Sequence, residues 1–148
     1  MGLLKMNTIN ALYFIKYNPF KYAKYIYSFY KSLEPYNNNL LLSPLIIPLC
    51  THPTYSKKKI TSRSTLYTIF QDKKELYDLQ ERVNYFRELT SESIQFCLAN
   101  DWLYFDSEKL SLYTNEVDIE IEPFPKKLGD LLKDYSVGEI YFNLGVKL

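Results

Sequence analysis

Cys50 and His52 are the residues of this chain best suited to nucleophilic or metal chemistry, and their spacing serves neither well. A tetrahedral metal site needs four donors, and the chain's one histidine and two cysteines cannot supply them. As a nucleophile and base they would have to hydrogen-bond to each other. Two residues apart in an extended segment, they point the same way without assured contact, and no acid stands nearby in sequence to orient the imidazole. The expected role of His52 is structural, capping backbone groups.

Four carboxylates, Glu116, Asp118, Glu120 and Glu122, alternate with Val117, Ile119 and Ile121. Period two describes a strand or extended arm with one acidic and one apolar edge. A divalent cation needs a curved loop of oxygen donors, and these lie on one straight edge. The expectation is a solvated edge or an acidic docking strip for a basic partner. None of the phosphate-loop, nucleophile-elbow or zincin motifs is present, and 4 glycines leave no room for a hidden glycine-rich loop. The chain is therefore expected to be no enzyme, with no cofactor, no metal and no small-molecule substrate.

The positive feature is a basic loop. Lys57, Lys58, Lys59 and Arg63 fall within seven positions, among the hydroxyls of Ser56, Thr61, Ser62 and Ser64. Lysines neutralise phosphates, hydroxyls donate to them, and a helix starting at Ser64 would add an anion-binding N-terminus. The same residues suit an acidic protein patch or an ordinary solvated loop, so DNA, protein and solvent stay open.

These residues need a scaffold, and the sequence sketches one that is mainly α with a small β-hairpin. Asn18-Pro19 starts an amphipathic helix ending near Pro35, with Ala23, Ile26, Tyr27, Tyr30 and Leu33 inward and Lys21, Lys24, Ser28 and Lys31 outward. A short helix or strand precedes it over residues 8 to 17. Asn37-Asn38-Asn39 reads as a turn or exposed loop. Ser43-Pro44 starts a short buried helix through Cys50, strained by Pro48. After the loop from Thr51 to Ser62, Ser64 caps a helix carrying Leu66, Tyr67, Ile69 and Phe70. A longer helix from Lys74 to Leu89 turns Leu76, Leu79, Val83 and Phe86 inward.

Thr90 then caps a helix bearing Ile94, Cys97 and Leu98, which breaks at Asn100-Asp101. Strands Trp102 to Phe105 and Leu110 to Tyr113 flank a turn at Asp106-Ser107-Glu108. Helix, turn, helix and hairpin make a winged-helix-like segment over about 74–114. A C-terminal helical segment over about 124–145 begins at Pro125, breaks at Gly138 and closes with a helix from Val137 to Asn143.

Length and composition fit one globular domain over 1–148. With 15 Tyr and 9 Phe against 4 Gly, the core is expected to be aromatic and helical. The net charge of +1 hides an asymmetry: residues 1–74 carry +9 and residues 75–148 carry −8. That pattern suggests two electrostatic faces, or two halves that fold together and neutralise. Two separated cysteines among apolar neighbours suggest reduced, buried thiols and a cytoplasmic location. No apolar run is long enough to span a membrane. The N-terminal residues match neither a signal peptide nor a myristoylation site.

Three stretches carry a resemblance: LLLSPLIIPLCTHPTY with KITSRSTLYTIF, then LQERVNYFRELTSESIQFCLANDWLYFD, then KKLGDLLKDYSVGEIYFNLGVK. In this order, over about nine-tenths of the chain, they resemble the middle component of three-component ABC ATPase systems. That includes the small accessory subunit of Lamassu-type antiphage defence. The spaced Gly129…Tyr141…Gly145-Val146 ending is the most distinctive part. The resemblance implies a non-catalytic adaptor in an antiviral defence complex. It would bridge an SMC/Rad50-like ATPase to an effector, often a nuclease, and couple foreign-DNA sensing to effector release or activation. The lysine run at 57–59 is more basic than the resemblance leads one to expect. The competing reading is a stand-alone winged-helix DNA-binding regulator; against it, the helix from Thr90 to Asn100 has no Lys or Arg to read bases.

Overall fold

A computed structural model describes residues 18–148; the element expected over residues 8 to 17 lies outside them. Helix α1, Pro19–Leu33, is the axis of the molecule. The Asn18 side chain caps it by accepting the Phe20 N–H at 2.9 Å, and Pro19 fills the first turn, where a missing N–H costs nothing. The expected inward residues are all buried, and so are Tyr22, Ser28 and Phe29. A helix covered nearly all round is a core helix, not a surface one. Ser28, expected outward, is fully buried, and its hydroxyl accepts the Glu122 N–H at 2.8 Å.

A 3-10 turn, Asn39–Leu42, leads into helix α2, Ser43–Cys50, which holds Pro48 inside it and buries all but Pro44. Asn39 is not exposed as expected. It is fully buried, accepting the Leu112 N–H at 2.6 Å and donating to the Leu112 carbonyl at 2.8 Å. One amide thus replaces a missing strand neighbour, satisfying a buried backbone donor and acceptor together.

The 51–62 loop includes a 3-10 turn at Tyr55–Lys57 and is followed by the four-residue helix α3, Leu66–Ile69. Thr65, not Ser64, caps α3 in a reciprocal box with Thr68. The long helix expected from Lys74 to Leu89 is instead a turn followed by α4, Leu79–Tyr85, and then α5, Arg87–Ala99. The apolar face is as expected, with Leu76, Leu79, Val83 and Phe86 buried, but the break falls at Phe86. Thr90 is therefore no cap: it is buried inside α5, and its hydroxyl has no partner among the described residues. Leu89 and Cys97 must both reach the core, so the helix runs straight through Thr90.

Strands β1, Leu103–Asp106, and β2, Ser111–Thr114, pair antiparallel with Leu103 opposite Thr114 and Asp106 opposite Ser111. The Asp106 carboxylate accepts the Glu108 and Lys109 N–H groups at 3.0 and 3.2 Å, closing the hairpin turn. Glu34, at the end of α1, grips β2 by accepting the Thr114 N–H and hydroxyl at 2.6 and 2.9 Å. Two helices followed by the hairpin is the element order expected for the 74–114 segment.

Residues 115–122 form no strand. The period-two pattern survives without a ladder: Val117, Ile119 and Ile121 pack half-buried on the core while Glu116, Asp118 and Glu120 stay at the surface. Helix α6 spans Pro123–Leu132, starting two residues before the expected Pro125. It crosses α1 so closely that a Cβ at Gly129 would strike the Ser32 hydroxyl and lie 2.5 Å from the Phe29 carbonyl oxygen. Helix α7, Val137–Leu144, is capped by a Ser136–Glu139 box and ends at Gly145 with φ 70°. Gly138 lies inside its first turn instead of breaking it. Buried side chains from all these elements form one cluster, a mainly helical core with a small hairpin at its edge. Among the described residues, no helix is long and apolar enough to cross a membrane.

Candidate functional site

His52 is 4% exposed, and its Nδ1 accepts the N–H groups of Thr54 and Tyr55 at 3.0 and 3.3 Å. The expected capping role is what the geometry provides. The neutral ring then carries its proton on Nε2, which faces Asp78 Oδ1 at 3.4 Å. An orienting acid is thus present after all, supplied from 26 residues away, beyond the reach of any local motif. The pair is still unsuited to activating a nucleophile, because both ring nitrogens are already engaged. Burial pushes the Cys50 thiol far above its ordinary range, with the Glu122 charge adding to the shift, so thiolate is suppressed there. Cys97 is likewise raised, to about 12, by burial. Among the described residues, no group of three or more His, Cys, Asp or Glu side chains is placed to hold a metal ion.

The segment around His52 is held by further polar contacts. Arg82 donates through Nη2 to Thr51 Oγ1 at 2.8 Å and through Nε to the Pro48 carbonyl at 3.4 Å. A guanidinium there meets the negative end of α2. Tyr55 is buried beneath the loop, its ring 4.9 Å from both His52 and Phe70, and burial raises its hydroxyl to about 12.

The four expected cations of the basic loop are not equivalent. Lys58 is folded back, 3.5 Å from Glu75 and over the Tyr55 ring. Lys57, Lys59 and Arg63 are exposed, with no side-chain partner among the described residues. The hydroxyls are mostly engaged: Ser56 donates to the His52 carbonyl, and Ser64 accepts the Thr61 N–H at 2.9 Å within a tight turn. Of the four, Ser62 is left exposed and unengaged by the described residues. No anion-binding helix end begins at Ser64, since α3 has four residues and Thr65 already accepts the Thr68 N–H.

Tertiary structure adds what spacing could not. Ile60, Thr61, Ser62 and Ser64 form one wall of a cleft of about 510 Å³, and α6 with the residues just after it forms the other through Lys127, Asp130, Lys133, Asp134 and Tyr135. These two lysines belong to the half of the chain that is acidic by sequence, so a reading by halves passes over them. Asp130 is shared by Lys126 and Lys133 at 3.9 and 3.6 Å, while Lys127 has no partner among the described residues. The acidic strip is only partly continuous: Glu116 meets Lys31 at 3.5 Å, and Asp118 and Glu120 lie at the surface. Glu122 is half-buried as its backbone enters α6.

A second surface carries exposed rings. Segment 66–80 is tied to α7 and the residues after it by Tyr67 to Glu139 at 3.1 Å, Lys73 to the Asn143 carbonyl at 2.6 Å, and Lys147 N–H to Gln80 at 2.8 Å. From these joined elements Tyr77 and Phe142 project, 84% and 90% exposed. Neither stands out in the sequence, because an aromatic at a helical position reads equally well as core.

The family model described as ABC-three component (ABC-3C) system Middle Component 3 matches residues 6–148. No curated protein and no solved structure matches the chain. A match that covers nearly the whole chain agrees with the resemblance of its three stretches to middle components of ABC three-component systems, and this protein belongs to the middle-component 3 family of those systems, a component of a multi-subunit assembly.

Proposed function

We propose that the protein is a non-catalytic adaptor of a defence complex in the cytoplasm, bridging an SMC/Rad50-like ATPase to an effector. The observation that carries this reading is the family match along 6–148, which makes the chain a middle component. The exposed rings of Tyr77 and Phe142 support it: large aromatics left in water cost free energy that a protein partner recovers, and such residues are enriched at interface centres. The acidic strip of Glu116, Asp118 and Glu120 offers a second contact for a basic partner surface. A regulator that reads DNA with α5 gains little support, since the exposed face of that helix carries Glu88 and the half-buried Glu92 beside a single Arg87.

Co-expression with the ATPase and effector encoded by neighbouring genes tests the proposal. The chain should co-purify with them, and Tyr77→Asp/Phe142→Asp should reduce recovery at least about tenfold, as loss of interface anchors of ~2 kcal/mol does. A chain that stays alone when co-expressed with both candidates sinks the adaptor reading.

A further inference from the structure

We infer that the cleft between the 60–64 turn and the end of α6 binds single-stranded nucleic acid, with phosphates against its cations and a base against Tyr67. Two cations line the cleft, Lys127 and Lys133, both from the α6 side. Arg63 is exposed at the rim, between the cleft-lining Ser62 and Ser64. Lys57 and Lys59, exposed on the approach to Ile60, extend the same sign outward. Asp130, shared by Lys126 and Lys133, and Asp134 balance the two lining lysines, so the positive excess comes from exposed Arg63, Lys57 and Lys59 beside the cleft. The exposed hydroxyl of Ser62 is a neutral donor of the kind phosphate oxygens accept.

An aromatic platform distinguishes this site from a plain basic patch. Tyr135 lines the cleft, and Tyr67 stands edge-on to it at 5.9 Å with about half its surface, 54%, in solvent. The Tyr67 ring is held from both ends: its hydroxyl donates to Glu139, and its backbone sits in α3, beside the Leu66 N–H that donates to Tyr135 Oη at 3.1 Å. A fixed, exposed ring beside a groove flanked by cations is the arrangement that single-strand binders use, stacking a base while the groove follows the backbone. An acidic peptide would use the same cations, and competition by polyglutamate distinguishes it from a nucleic acid. A volume of about 510 Å³ lies within the range of roughly 300–1,000 Å³ that ligand sites occupy.

The test needs only the isolated chain, so its failure would leave the adaptor reading standing. Fluorescence anisotropy with a labelled twelve-residue oligothymidylate should show saturable binding that weakens about 20-fold between 50 and 200 mM salt, as expected for about three neutralised phosphates on a single strand. Arg63→Glu/Lys127→Glu should abolish most of that binding, and Arg63→Gln/Lys127→Gln should weaken it less while flattening the salt slope. Tyr67→Ala should cost about tenfold, the scale of one stacked base, with the salt slope unchanged. All these side chains are exposed, and unchanged far-UV circular dichroism would establish that the variants fold. No binding at 50 mM salt overturns the inference, as does full affinity in either double variant. Competition by polyglutamate as strong as by unlabelled oligonucleotide overturns it too, reassigning the cleft to an acidic protein.

Discussion

The crossing of α1 and α6 and the segment from Thr51 to Asp78 are both well packed, yet opposite means hold them together. The crossing relies on shape. Gly129 lets two helices approach until backbone touches side chain, and fully buried Ile26, Phe29, Leu33, Leu128 and Leu132 fill the space around it. The segment has a single turn of 3-10 helix and a four-residue α-helix, too little regular structure to satisfy its own backbone. Its backbone is held instead by side chains acting as caps, with His52 on the Thr54 and Tyr55 amides and Tyr135 on the Leu66 amide. Apolar shape tolerates no added atom, while a polar cap tolerates no lost one. The second kind of region can also present charged and hydroxyl groups at the surface, which is where the basic cleft is found.

The contrast can be tested by adding an atom to one region and removing a group from the other. Gly129→Ala should give the largest effect, a loss of about 3 kcal/mol in urea unfolding, because the Phe29 carbonyl is backbone and cannot move aside. An unaltered midpoint would mean that the crossing is looser than described. His52→Ala should cost about 2 kcal/mol, since two amide N–H groups under the loop lose their acceptor. It should also speed hydrogen exchange at Thr54 and Tyr55 while leaving α1 protected. If exchange rose equally in α1, the cap would not be local to the segment. Gly138→Ala supplies the control and the smallest change. Nothing lies within 4 Å of the added methyl, so helix propensity alone should act and raise stability by up to ~1 kcal/mol. A loss there would show that glycine is required in α7 for a reason other than space.

Elements with local signals are legible in the amino-acid order itself. Asn18-Pro19 marks the start of α1 because capping and the proline ring act within one turn, and the Asp106 turn with its flanking strands lies within a residue of its expected place. The boundary between α4 and α5 is different. Thr90 is a good capping residue by type, but its hydroxyl loses to the burial of Leu89 and Cys97 around it. Asn39 misleads for a similar reason. Next to two other asparagines it looks like a turn, and only the arrival of Leu112, 73 residues later, gives its amide a buried use. The candidate site is half legible: the run 57–63 announces a cationic loop, but nothing in it foretells that Lys58 is neutralised by Glu75.

By itself, then, the sequence determined the helical class, the hairpin, the inward faces of α1 and α4, and the family to which the chain belongs. Each of these is written in neighbouring residues or in a pattern along the chain. Tertiary structure alone decided that Ser28 and Asn39 go inside, that Asp78 meets His52, and that Lys127 and Lys133 face the 60–64 turn. Those outcomes depend on which distant surfaces meet. A side chain's charge or hydrogen-bonding capacity states what it can do, while its partner is set by the packing of an apolar core in which it takes no part.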